Sequence, residues 1–264
     1  AHARWHHQLV TRAAAELIGP HQREWLERLD LEHPNLRLAL DWLESEESLG
    51  PALAMAAGLS WYWWYRGLYA EGRARLHAVG ARPTARRDPR AWAAAMDGLG
   101  LLVRAQGDIA QAVKIHEQAL AVWRELGTRD QLADGLFFYG LALMYAGDQL
   151  ARQALVECLQ LARTLPQPHW LGGTLWALGR TLRYRGELAA ARDAIEESLE
   201  RARTSGNPSG IAVSLWGLGE IQMDLGELDT ALATLQDALR RLWDLGEIWS
   251  AILCLERIAK VLAR

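Results

Sequence analysis

A glycine recurs between apolar segments at Gly67, Gly107, Gly147, Gly186 and Gly226, at intervals of 40, 40, 39 and 40 residues. An acid follows the last four: Asp108, Asp148, Glu187 and Glu227. A fixed period of this length restricts the fold severely, because one unit cannot bury its own apolar face and needs like units beside it. Glycine supplies the positive φ that ends a helix. The acid then begins the next helix, where it caps free N–H groups and meets the positive end of the dipole. Each unit therefore reads as two helices joined at the glycine. Around Gly186, Leu175, Leu178, Gly179 and Leu182 share one face before the turn; Leu188, Ala191, Ile195 and Leu199 share one after it.

A second glycine lies seven residues before each of the last four markers, at Gly100, Gly140, Gly179 and Gly219. Glycine in mid-helix costs about 1 kcal/mol of propensity, so its recurrence predicts close helix–helix approach. Small residues follow the markers at fixed places: Ala112, Ala191 and Ala231, then Ala119, Ser198 and Ala238, with Ala151 and Cys158 in the shorter unit at Gly147. This small-residue lattice resembles the tetratricopeptide repeat, a helix–turn–helix unit of about 34 residues. The extra length is assigned to connections at 126–131 and 203–209 and to longer second helices. The resemblance is strongest over 91–248. It is weaker over 51–90, where Ser60 and Gly72 stand in place of the family's Gly and Ala. Residues 249–264 read as a further first helix, whose face of Trp249, Ile252, Leu255, Ile258 and Leu262 either caps the stack or continues it. The expected fold is all-α: a tetratricopeptide-like right-handed helical-hairpin solenoid over 51–264, with about five helix pairs and a terminal helix, behind a helical adaptor at 1–50.

Three helices are expected in that adaptor, at 1–18, 21–32 and 35–47, broken by Gly19-Pro20 and by His33-Pro34. Glu24-Trp25-Leu26, followed by Glu32, Asn35-Leu36-Arg37, Ala39-Leu40 and Trp42, resembles the junction between ATPase and repeat array in bacterial signal-transducing ATPase regulators of the LuxR, AfsR and MalT kind. Residues 61–76, WYWWYRGLYAEGRARL, resemble the first repeat of those proteins. The resemblance implies a sensor region that binds an inducer or partner and controls a nucleotide-driven switch. No GxxxxGK[ST] phosphate loop and no helix-turn-helix segment occurs, so it implies the sensor portion alone, beginning at Ala1.

The net charge of −3, with lysine only at Lys114 and Lys260, lacks the clustered cations that nucleic-acid binding needs. Cys158 and Cys254 lie far apart, which fits a reducing compartment. No apolar run reaches membrane-span length and no signal-peptide core is present, so a cytoplasmic protein is expected. His2, His6 and His7 have metal-compatible spacing, but a frayed terminus is the simpler reading, and neither metal nor cofactor is expected. His116 reads as a packing residue, Cys158 as a buried inert thiol, and no nucleophile motif appears; the chain is expected not to be an enzyme.

In tetratricopeptide stacks the first helices line a concave groove. Helical periodicity places a bland set on the packing face of those helices: Met96, Leu99, Gly100 and Val103, for example. The groove face carries Trp61, Trp64, Tyr65, Asp97, Arg104, Asp134, Phe137, Met144, Tyr145, Trp176, Arg180, Arg183, Tyr184, Trp216, Glu220 and Asp224. Aromatics beside arginine suit recognition, since rings bury much area at low entropic cost and guanidinium presents a planar fork to anions. The same rings would also serve as core material. The row as a whole favours binding of a peptide, protein segment or small-molecule inducer. The alternative is a scaffold that self-associates through the array.

Overall fold

The computed structural model describes residues 2–166 and 169–263; Ala1, Gln167, Pro168, Arg264 and the side chain of Trp249 lie outside the described residues. Among the described residues every regular element is helical. The chain begins with α1 (His2–Glu16) and α2 (Gln22–Ser45), then α3 (Gly50–Gly58), α4 (Ser60–Tyr65) and α5 (Tyr69–Gly80). A short 3-10 turn at Pro83–Arg87 leads into four hairpins. These are α6 (Pro89–Ala105) with α7 (Ile109–Leu126), α8 (Arg129–Ala146) with α9 (Leu150–Ala162), α10 (Leu171–Tyr184) with α11 (Leu188–Ser205), and α12 (Pro208–Asp224) with α13 (Leu228–Asp244). The last helix is α14 (Ile248–Leu262). Hairpin partners pack on each other, and each first helix also meets the next first helix: α6 on α8, α8 on α10, α10 on α12, α12 on α14. First helices thus form the inner layer and second helices the outer one, a tetratricopeptide-like solenoid.

All five marker glycines adopt φ between +66° and +89°, a region where a Cβ is disfavoured. The acid behind them divides by length. Asp108 caps α7 by accepting from Gln111 N; Asp148 accepts from Leu150 N from one position before the N-cap, Gln149. Glu187 and Glu227 make no side-chain cap bond. The extra methylene carries each carboxylate outward, to Arg152 at 3.1 Å and Arg192 at 2.6 Å on the preceding second helix. Exposed pairs of this kind contribute up to about 1 kcal/mol each.

Local rules fail at three places. The expected break at Pro34 does not occur: α2 runs through it. The missing N–H costs about 3 kcal/mol, but Leu26, Leu29, Leu36, Ala39, Leu40 and Leu43 form one buried stripe on both sides of it, and only a continuous helix buries all six. The connections at 126–131 and 203–209 are also shorter than expected. Gly127-Thr128 and Gly206-Asn207 alone separate the helices, and the excess length lies in 18-residue second helices. In α14, Ala251, Cys254 and Val261 face the stack, whereas Ile252, Leu255 and Leu262 are exposed. Of the described members of the face expected to pack, Ile258 is partly buried against the core and the other three are turned outward; the side chain of Trp249 is outside the described residues.

The first fifty residues share their core with the array. One cluster of buried side chains runs from Ala3 through Leu53 and Leu102 to Trp123, and α1 packs on both α2 and α3.

Candidate functional site

The inner layer lines a cavity of about 550 Å³ that is partly open to solvent. Helix α4 contributes Trp61, Trp64 and Tyr65; α6 contributes Arg104; α8 contributes Phe137 and Tyr145; α10 and α12 contribute Trp176 and Trp216. These are eight of the sixteen expected groove residues. Trp176 and Trp216 lie 6.5 Å apart, ring centre to ring centre, and the Trp176 indole donates to the Val213 carbonyl at 2.9 Å.

The rest of the cavity wall comes from residues outside the expected groove face. The end of α1 and the turn after it, Ala15 to Pro20, form one side. Trp170, just before α10, stacks on Trp61 at 5.4 Å and on Phe137 at 4.5 Å, joining the first unit to the third. Ser209, Glu247 and Ser250 line the C-terminal side. The buried Tyr65 phenol shares this wall with Ser209 and Glu247, and burial, then Glu247, pushes its titration well above the ordinary phenol range. The array therefore curls until its first unit meets its last. Glu247 had a readable signal: it follows Gly246, which has φ +73°, and so repeats the glycine–acid marker 20 residues after Gly226.

The other eight expected residues serve elsewhere. The carboxylate of Glu220 is fully buried and meets Arg180 at 3.4 Å, Arg183 at 3.4 Å and Arg257 at 2.8 Å. Arg183 also pairs with Asp224 at 2.6 Å. The Arg180 guanidinium packs on the Trp216 face at 4.6 Å and donates to the Tyr184 hydroxyl at 2.9 Å. Tyr184 is itself 59% exposed, and Met144 is buried in the core. Asp97 accepts from the Trp123 indole at 2.7 Å and lies 3.1 Å from His116 Nδ1; His116 is buried against Phe138.

Asp97 and Asp134 line a smaller neighbouring pocket with Trp61 and Trp170. Burial, then Asp97 and Asp130, pushes the Asp134 carboxyl up to about 7, against an opposing hydrogen bond from Trp170. A carboxyl raised in this way holds its proton more tightly in the folded chain than in the unfolded one. Stability therefore falls as pH climbs from the unfolded value, 3.8, to about 7. Asp134→Asn is expected to remove that fall. The variant should be about 1–2 kcal/mol more stable than the parent at pH 8 and equal to it below pH 4, by urea unfolding. Equal stability at pH 8 would refute the assignment.

Cys158 is buried, and burial pushes its thiol up to about 12, which suits a packing role. His6 lies 3.1 Å from Glu32 and 3.0 Å from the His2 carbonyl. Among the described residues no group of three or more His, Cys, Asp or Glu side chains is placed to hold a metal. Among them, too, no helix is long and apolar enough to cross a membrane.

Models of the tetratricopeptide repeat match residues 92–126 and 170–244. The chain carries tetratricopeptide repeats. Arg104, Trp176 and Trp216 fall inside the matched repeats, whereas Trp61, Trp64, Tyr65, Phe137 and Tyr145 fall outside them. Over 118 residues the chain is 35% identical to the regulatory protein AfsR of Streptomyces coelicolor. That match spans 40% of this chain and 12% of AfsR. Among solved structures, the apo form of RapI is similar with TM-score 0.62 and 10% identity, covering 98% of this chain and 96% of RapI. NprR in complex with its cognate peptide NprX gives 0.59 and 15%, covering 97% and 75%. BtubC (BKLC) from P. vanneervenii gives 0.57 and 16%, covering 92% of each chain. At these identities the structural likeness shows the tetratricopeptide-like fold alone.

Proposed function

We propose that this repeat array is the ligand-sensing module of a bacterial signal-transduction or transcriptional regulator, and that the concave cavity holds the ligand. The observation that carries this reading is the aromatic wall. Trp61, Trp64, Tyr65, Trp170, Trp176 and Trp216, drawn from separate units, surround one space of about 550 Å³. Small-molecule sites span about 300–1,000 Å³ and are lined mainly by apolar and aromatic groups with a few polar ones. The similarity to AfsR supports a regulator, and NprR bound to NprX is a protein of this fold with a peptide ligand. Residues 1–50 serve as the junction to an upstream domain. Arg180, Arg183, Tyr184, Glu220 and Asp224 hold the inner helices in register beside the ligand, and the module performs no catalysis of its own.

A neutral apolar fluorophore, N-phenyl-1-naphthylamine, tests the cavity directly. One molecule per chain is expected to bind, with quenching of tryptophan emission. Trp64→Ala, which removes one half-buried wall residue, is expected to weaken binding about tenfold while leaving far-UV circular dichroism unchanged. Absence of saturable binding to the parent would defeat the proposal.

A further inference from the structure

Besides the phenols of Tyr65 and Tyr145, four ionisable side chains line the cavity: Arg104, His169, Arg201 and Glu247. Three are accounted for. His169 is exposed at the rim. Arg201 is exposed and lies 3.7 Å from Glu197. Glu247 is buried but bonds with Ser209 and Ser250. Arg104 differs. It is 6% exposed, and its guanidinium meets the faces of Trp64 at 4.8 Å and Tyr145 at 4.7 Å. Among the described residues no carboxylate pairs with Arg104. Elsewhere on the inner face the buried Arg180 and the partly buried Arg183 share the carboxylate of Glu220.

A buried guanidinium without a counter-anion is an expensive arrangement. Ring faces compensate it only in part, and burial lowers its proton affinity. A planar fork held between two rings, in the wall of a cavity that Trp61, Trp170, Trp176 and Trp216 also line, is complementary to an anion carried on an apolar body. We infer that the cavity takes a small organic anion, with its acidic oxygens on Arg104 and its apolar body against Trp64, Trp176 and Trp216. This rests on the cavity being the ligand site. A small molecule is favoured over an extended peptide because the Ala15–Pro20 turn and the Trp61–Trp170 stack bound the space within the array.

Two fluorophores that differ by one sulfonate separate this inference from the cavity reading beneath it. 1-Anilinonaphthalene-8-sulfonate is expected to bind the parent about tenfold more tightly than neutral N-phenyl-1-naphthylamine. Arg104→Met is expected to abolish that preference by weakening the sulfonate alone, leaving the neutral probe within about twofold. Arg104→Lys, which keeps the charge, is expected to retain most of it. Equal binding of the two probes by the parent overturns the anion inference and leaves the cavity reading standing; so does a lysine variant no better than methionine. Binding of neither probe overturns both. Should Arg104→Met fail to fold, the parent's own discrimination and the lysine variant decide the question.

Discussion

Glu220→Ala is expected to destabilise the protein by about 3–5 kcal/mol, the usual result of removing one partner from a buried ionic cluster. The carboxylate is fully buried on α12 and faces three guanidiniums. Arg180 and Arg183 come from α10, and Arg257 comes from α14. Their positions make Glu220 the electrostatic link among three consecutive inner helices. Without it, Arg183 keeps Asp224 and Arg180 keeps the Tyr184 hydroxyl and its ring faces. Arg257 loses the carboxylate it meets. Urea unfolding followed by circular dichroism measures the total loss, and hydrogen exchange should show α14 losing protection first. A loss below about 1 kcal/mol would mean that solvent reaches the cluster and screens it.

Gly179→Leu is expected to cost about 3 kcal/mol. A Cβ at Gly179 would lie 2.7 Å from Ile195 Cγ1 and 3.1 Å from the Ala191 carbonyl oxygen. Neither neighbour has room to yield. Ile195 is fully buried, its Cγ1 sits next to its own backbone, and the other obstacle is backbone itself. Helices α10 and α11 must separate, and the helix propensity regained over glycine, about 1 kcal/mol, does not offset that. A fall in melting temperature of roughly 6–12 °C corresponds to this loss, at about 2–4 °C per kcal/mol for a chain approaching this size. Gly172→Ala is the internal control. Its Cβ would meet only ordinary contacts, 3.8 Å from Arg201 Cβ and 3.9 Å from the Ser198 carbonyl oxygen, so it should melt at or slightly above the parent. If Gly179→Leu melts with the control, the helix contact is looser than the geometry implies.

Both expectations join features visible in the sequence to features that were not. Gly179 was marked by its place seven residues before Gly186, and a periodic glycine with a propensity cost already implied close packing. Glu220 was marked too, as an inner-face residue, but its use was not. In sequence it belonged to the groove face with Arg180, Arg183 and Asp224, open to a ligand. In the folded chain the acids and arginines neutralise each other across α10, α12 and α14. Periodicity places a residue on a helix face; it does not say whether a side chain from the next helix reaches it first.

The sequence by itself determined the helix pairs of residues 89–244 and the turns between them. These follow from interactions within about one helical turn and from a repeat whose units must stack. It misjudged Pro34, because the local penalty there is outweighed by a leucine stripe buried against elements far along the chain. Only the tertiary structure decided that the array closes on itself. Tyr65 shares a wall with Ser209, Trp61 stacks on Trp170, and the Ala15–Pro20 turn walls the same cavity. That closure is the sum of small rotations between successive units. No local pattern records such a sum, and so the inner surface became visible as a bounded cavity with Arg104 unpaired in its wall only in three dimensions.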